Sequence, residues 1–367
     1  MYVKQITFII ILFCYFLTVT VVRADDLSSG VMIAHFIDMG QSDATLLEFS
    51  CGAVLIDAGA QYKQGNNAAT VEYNQTQIYK LISYLTEFFN SRPDLNKTLD
   101  AIYVTHNHID HTHALREIAE AFSVTNYVGT GQETGLAEAV EEPKWIRKQN
   151  GINKNIITSN IFTDDTFPDG ISTDITDPIN CGNINPKISI LSGHQETNPG
   201  WTQKEFKNLN NHSLVIRVDF GESSFLFTGD LEEDGIEYLI HRYESALSFL
   251  DVDVYQVGHH GSHNATNAKL LEVITPEIAV ISVGKWNYGK PNTPFTTYTY
   301  GHPRLIVIEL LALSIHGKRE PKKVKIFTRP KKDRTYIIED MVYSTSWDGT
   351  IKIKATYDGM YTVETEQ

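Results

Sequence analysis

The stretch His106-Asn107-His108-Ile109-Asp110-His111 decides how this chain is read. It places three histidines and one carboxylate within six residues, directly after the apolar run 99–105, which reads as a buried strand. Imidazole nitrogens with a carboxylate oxygen are the donor set of Zn²⁺, and also of Mn²⁺ or Fe²⁺. His106 and His108, two apart, project to the same side of an extended segment. Asp110 and His111 follow closely enough to turn towards a second ion. A plain polar surface loop needs no such cluster. Six residues cannot surround two ions, so other parts of the chain must supply further ligands.

Working outward, strands and helices alternate, which argues for an α/β architecture. Residues 31–37 and 44–49 read as strands joined by a turn at Met39-Gly40-Gln41-Ser42, and 54–56 as a short strand ending in Asp57-Ala58-Gly59. Residues 76–89 are a predicted helix with Ile78, Leu81, Ile82, Leu85, Phe88 and Phe89 on one face. A second helix carries Leu115, Ile118, Ala119 and Phe122. Four later strands have polar residues at their ends. His212 precedes 214–220; 224–227 runs into Thr228-Gly229-Asp230; 252–257 runs into Gly258-His259-His260; and 278–283 runs into Gly284. In open α/β sheets, sites gather outside the carboxyl ends of strands. There Asp230 can bridge two cations, one of His259 and His260 can complete the second ion, and His212 can complete the first. Each alone would read as a hydrogen-bonded structural residue; their joint placement makes the case.

These residues together resemble the metallo-β-lactamase superfamily. Its His-x-His-x-Asp-His hallmark stands at 106–111, its early Asp-x-Gly at Asp57-Ala58-Gly59, its bridging Asp at Asp230 and its late His at His259-His260. Asp38-Met39-Gly40-Gln41-Ser42-Asp43-Ala44, Asn211-His212-Ser213-Leu214-Val215, Ile281-Ser282-Val283-Gly284, Tyr300-Gly301-His302-Pro303 and Asp348-Gly349-Thr350-Ile351 narrow the likeness. They are similar to the branch that includes the hydrolase-like domain of bacterial DNA-uptake (competence) proteins. The resemblance covers residues 31–355. It implies a four-layer αβ/βα sandwich holding two divalent metal ions, Zn first, with Mn or Fe as alternatives. His106, His108 and His212 would hold the first ion, and Asp110, His111 and His259 or His260 the second, with Asp230 bridging. Asp110 and Asp230 would be catalytic, through water activated between the ions. Asp57 would orient a ligand, and Asp38 and His302 would support the site or meet substrate, His302 being equally readable as a turn residue before Pro303. The branch favours a phosphodiester substrate, nucleic acid included. A carbonyl substrate (lactone, thioester or β-lactam) is the alternative on the same site, and a non-catalytic secreted metal-binding or interaction protein is the alternative of another class. The sequence departs from the branch at Ser42, where Gly is usual, at His212, where Asn is common, and in an inserted stretch at 285–299.

Composition bounds the rest. The chain has 367 residues, 42% apolar and 21% charged, which excludes a disordered protein and allows one large domain or two moderate ones. Lys4, the apolar run 6–22 and Val22-Arg23-Ala24 are expected to form a signal peptide over 1–24, leaving a hydrolase domain over 25–367. An uncleaved anchor is the other reading. The expected destination is secreted or the lumen of the secretory pathway, with no stable membrane association after cleavage. Cys51 and Cys181 then either pair or stay as buried thiols. Asn74 and Asn96 are the glycan candidates; the sequons at Asn211 and Asn264 fall inside site motifs. A net charge of −14 disfavours indiscriminate nucleic-acid binding. The basic stretch 318–334, opening the C-terminal region 318–367, is either a solvated hairpin or a phosphate-steering patch. Residues 130–210, rich in Asn, Asp, Thr, Gly and Pro, read as an irregular insertion with one short helix near 134–148, either shaping the site or decorating it. Oligomeric state is left open.

Overall fold

The structure is a computed structural model and describes residues 30–133, 137–291 and 293–367. The expected signal peptide lies outside the described residues. In chain order the strands are β1 (Val31–Phe36), β2 (Thr45–Glu48), β3 (Ala53–Ile56), β4 (Thr98–Val104), β5 (Ser123–Gly129), β6 (Asn153–Ile156), β7 (Lys187–Ser192) and β8 (Val215–Phe220). They continue as β9 (Ser223–Phe227), β10 (Val254–Gln256), β11 (Ile278–Ile281), β12 (Lys318–Arg329), β13 (Lys332–Asp340), β14 (Val342–Ser344), β15 (Ile351–Thr356) and β16 (Tyr361–Thr365). One sheet runs β16-β15-β1-β2-β3-β4-β5-β6, the other β14-β11-β10-β9-β8-β7, and β12-β13 form a separate hairpin.

Side-chain alternation explains the layering. Along β8 and β9, Ile216, Val218, Phe220, Phe225 and Phe227 face the first sheet and meet Phe36, Phe49, Val54 and Tyr103 in one buried cluster. Leu226 and Val215 point the other way, onto α4 (Glu233–Arg242), α5 (Ala268–Ile274) and α6 (Leu305–Ser314). The outer face of the first sheet is covered by α1 (Ala68–Ser91), α2 (Leu115–Ala121) and α3 (Ala137–Arg147), through Leu81, Leu85, Phe89, Ile118 and Ile146. Helices, sheet, sheet and helices make the expected four-layer αβ/βα sandwich.

Three details go beyond the periodicity. The first helix starts at Ala68, eight residues before the expected start at 76, because the Asn67 side chain caps it by accepting from the Thr70 amide at 3.0 Å. The irregular insertion expected at 130–210 is corrected: it supplies β6 and β7 as well as α3. β6 is a polar edge strand with no apolar signal to reveal it, while β7 buries Ile188 and Ile190 between the sheets. Cys51, at the β2–β3 turn, is bonded to Cys181, 130 residues away. Of the two glycan candidates, Asn96 is exposed, whereas both amide atoms of Asn74 are bonded to the Lys63 backbone. Among the described residues, no helix is long and apolar enough to cross a membrane.

Candidate metal centre

β3 and β4 run parallel, as do β9, β10 and β11. Their carboxyl ends therefore open on one edge of the sandwich and deliver Asp57, His106, Asp230, His259, His260 and Ser282 to the same place. The loops pay for this in backbone strain. Asp57 (φ 58°), His259 (φ 49°) and His260 (φ 54°) occupy the left-handed region without being glycine, at about 1–3 kcal/mol each. Gly59 completes the Asp-x-Gly motif for a steric reason: a Cβ there would lie 1.9 Å from the Asp110 carbonyl oxygen.

Asp57 organises the first layer. Its carboxylate accepts from the Thr105 amide and hydroxyl, both at 2.8 Å, and from His111 Nδ1 at 2.7 Å. With Nδ1 committed, His111 turns Nε2 towards Asp230 Oδ1 at 3.3 Å. His260 repeats the device: Nδ1 donates to the Ser282 carbonyl at 2.8 Å, and Nε2 faces Asp110 Oδ2 at 3.3 Å. His259 sets Nδ1 against Glu232 Oε1 at 3.2 Å and Nε2 at 3.6 Å from Asp230 Oδ2.

The donor atoms fall into two groups, Asp43 with His111, Asp230 and His260, and His106 with His108 and Asp230, each group within 4.8 Å. Asp230 belongs to both. His111 Nε2, His260 Nε2 and Asp230 Oδ1 are buried and have no hydrogen-bond partner. Buried polar atoms left unsatisfied are costly. A bound cation in place of ring protons would satisfy these converging imidazole and carboxylate atoms, so the residues fit two divalent ions.

Asp110 flanks the second group, a quarter exposed to a pocket of about 210 Å³ that Gln41, Asn210, Phe295, Tyr300 and His302 also line. His302 is buried, 5.5 Å ring to ring from His259, with Nδ1 unpartnered. Burial, with His259 and His260 nearby, pushes it well below the usual imidazole range, so it is neutral. The 285–299 insertion forms part of the rim: besides Phe295, Thr297 donates to Gln41 Oε1 at 3.0 Å.

Two expected site residues are not brought in. His212 is corrected: Nδ1 accepts from the Gln195 amide at 3.0 Å and Nε2 donates to the Phe206 carbonyl at 2.7 Å, leaving no lone pair for a metal. It packs with His194, Trp201 and Phe206, and burial lowers its pKa to about 4. Replacing His212 with leucine should therefore destabilise the fold by roughly 1–3 kcal/mol while metal content stays at the wild-type value. Elemental analysis and a melting curve check this; loss of one ion would restore His212 as a ligand. Asp38 instead holds its own turn, accepting from the Gly40 amide at 3.1 Å and pairing with Lys80 at 3.9 Å.

Sequence reasoning missed three residues. Asp43 stands inside the 38–44 motif, but only the fold brings its Oδ2 to 3.6 Å from His260. Glu232 follows Asp230 by two residues and gathers Asn208, Asn210 and His259. Asn210 donates to Glu232 at 2.7 Å and leaves its buried Oδ1 unpartnered beside the pocket.

The electrostatics divide the histidines. Burial, with His111 and His108 adding to it, drives His106 well down, and burial lowers His108 too, so both are neutral at neutral pH; they share a 2.9 Å hydrogen bond between His106 Nε2 and His108 Nδ1 that a bound ion would replace. Burial also pulls on His111 and His260, but the carboxylates outweigh it: Asp230 and Asp57 hold His111 well above the usual range, and Asp230 and Asp110 raise His260 to about 9. In the metal-free protein these two carry protons that a cation must displace. The raised His260 contributes stability below its ordinary pKa of 6.5 and loses that contribution as pH rises through about 9. Metal affinity runs the opposite way and should tighten between pH 6.5 and 9, with proton uptake by the buffer on loading. Calorimetry in two buffers of different ionisation heat measures it; pH-independent affinity in that window would contradict the assignment.

Comparison with known proteins agrees with this geometry. The metallo-beta-lactamase superfamily model matches residues 37–285. Recombination protein 2 of Haemophilus influenzae is 44% identical over 78 residues, 21% of this chain and 9% of that protein. ComE operon protein 3 of Bacillus subtilis is 34% identical over 102 residues, 28% of this chain and 11% of that protein. Competence protein ComA of Neisseria gonorrhoeae is 38% identical over 91 residues, 24% of this chain and 13% of that protein. The match thus spans about a tenth of the length of these relatives. The chain belongs to the metallo-beta-lactamase superfamily, in the branch of the competence and recombination proteins.

Proposed function

We propose that this chain is a secreted, two-metal phosphodiesterase, with zinc as its first-choice ion. The observation that carries the reading is the convergence of the buried, unpartnered His111 Nε2, His260 Nε2 and Asp230 Oδ1 beneath an open pocket. His106, His108 and Asp230 would hold one ion, and Asp43 or Asp110, His111, His260 and Asp230 the other, with His259 at the edge of the pair. Two bound cations acidify water and neutralise negative charge developing on a substrate oxygen.

The chain's own groups do the remainder. Asp110, facing the pocket, is placed to take the proton of the attacking water on Oδ2 and return it to the leaving oxygen as the phosphorus–oxygen bond breaks. Neutral His302 can donate from its ring to a phosphate oxygen. Asp57, Glu232 and the Ser282 carbonyl hold the ligand rings in one orientation. The likeness to recombination and competence proteins supports a phosphodiester over a carbonyl substrate. The Cys51–Cys181 bond supports an oxidising compartment, and exposed Asn96 supports a glycan there.

The test is a substrate panel with the purified chain loaded with Zn²⁺ or Mn²⁺: bis-p-nitrophenyl phosphate, single-stranded DNA and RNA, nitrocefin and an acyl lactone. Phosphodiester turnover is expected. Turnover of carbonyl substrates alone overturns the substrate class. Fewer than one ion per chain with no turnover overturns the enzyme.

A further inference from the structure

The β12–β13 hairpin distributes its cations unevenly. Near its base they are neutralised: Arg319 and Lys322 share fully buried Asp348 at 2.7 and 2.8 Å, Lys325 meets Asp333 at 2.9 Å, and Lys318 pairs with Asp340. Towards the tip, Arg329, Lys331, Lys332 and Arg334 are exposed and have no carboxylate partner among the described residues. The one acid within that run, Asp333, is already held by Lys325 and Lys290. In a chain of net charge −14 such a cluster is anomalous. It is also installed against local preference. Lys331 follows Pro330 in the tight turn with φ 64°, a position that glycine or asparagine fills more cheaply.

The tip is fastened to the rim of the candidate site. The Lys331 amide donates to the Tyr298 carbonyl and the Phe327 amide to the Pro303 carbonyl, both at 3.0 Å, while Gly301 lies so close under Pro330 that a Cβ would meet it at 2.7 Å. The segment gripped in this way carries His302, which lines the pocket, and Tyr300, an exposed ring at its mouth. From pocket to tip the surface therefore offers a buried reaction site, an exposed aromatic ring and then four unpaired cations. That is the order of groups a flexible phosphate chain with flat bases requires.

We infer that the hairpin tip is a docking ridge for a single-stranded nucleic acid, engaging phosphates beyond the one held in the pocket. This rests on the phosphodiesterase reading. A small phosphodiester would not reach the ridge, so the ridge governs binding of polymer and leaves the chemistry alone.

The experiment compares the metal-loaded full chain with a tip variant, Arg329→Gln, Lys331→Gln, Lys332→Gln, Arg334→Gln, and with Lys331→Gly. Binding of a labelled 15-nucleotide phosphorothioate strand, which resists cleavage, is followed by anisotropy across a salt series, in DNA and RNA forms. The four-site variant should bind roughly tenfold or more weakly at 0.1 M salt, and its salt slope should shrink by about 0.7 for every phosphate it no longer neutralises. Its turnover of bis-p-nitrophenyl phosphate should match wild type. Lys331→Gly should melt no lower than wild type yet bind the strand more weakly, which separates a ligand role from a folding one. Unchanged strand binding in the four-site variant overturns the ridge even if phosphodiesters are cleaved. Weakened strand binding in a protein that cleaves no phosphodiester supports the ridge and overturns the proposed reaction instead. Tighter binding of dextran sulfate than of either strand overturns the nucleic-acid assignment.

Discussion

Asp230→Asn is expected to remove at least one of the two bound ions and to lower phosphodiester turnover by roughly three orders of magnitude or more. Asparagine has the size and shape of aspartate, so packing at this buried position is preserved. What changes is charge and donor count. Asp230 is the one residue common to both ligand groups, with Oδ1 at 3.3 Å from His111 Nε2 and Oδ2 at 3.6 Å from His259 Nε2 and 3.8 Å from His106 Nε2. Burial alone would raise its pKa, but His259, His111 and His260 surround it and hold it well below the usual carboxylate range, so it is anionic throughout. A neutral amide offers a single weak acceptor oxygen and cannot bridge. Removing the charge also strips the histidines of their main counter-charge, so the proton release that accompanies metal loading should shrink. Metal content by elemental analysis, read with turnover of bis-p-nitrophenyl phosphate, measures the effect. Two ions retained with a rate within tenfold of wild type would show that Asp230 does not bridge.

The second large effect concerns the fold and leaves the chemistry intact. Cys51→Ser with Cys181→Ser is expected to lower stability by about 5 kcal/mol in the chain-entropy account of a loop this long. In a protein of this size that corresponds to a fall in Tm of roughly 5–10 °C. The bond joins the β2–β3 turn to the segment before β7, and so ties strands of the two sheets together across 130 residues of sequence. Both cysteines stand away from the ligand groups, so metal content should be unchanged. Reduction of the wild-type protein should reproduce the shift. A double variant melting within a degree of wild type would mean that the pair is not bonded in the protein as made.

How much of the fold and the site is legible in the sequence follows from how far each signal reaches along the chain. The donor cluster at 106–111, the alternation along β8 and β9 and the helical face of Ile78, Leu81 and Leu85 are local patterns, set by residues a few positions apart. Asp57 and Asp230 are legible because they end apolar runs. β6 is not, because three polar residues and one isoleucine on a sheet edge bury too little to leave a pattern.

The sequence by itself determined the chemistry on offer: three histidines and an acid after a strand, a carboxylate and a histidine pair at later strand ends, and the sandwich that presents them. Tertiary structure decided which of those atoms are free to use it. His212 lost its place because the Gln195 amide and the Phe206 carbonyl occupy both ring nitrogens. Asp43 and Asn210 gained theirs because separate strands converge on one edge. It also set the basic hairpin tip beside Tyr300 and His302. The physical reason is the same in each case: a side chain's identity is written in the chain, but whether its lone pair or charge is already satisfied depends on neighbours that folding brings from far along it.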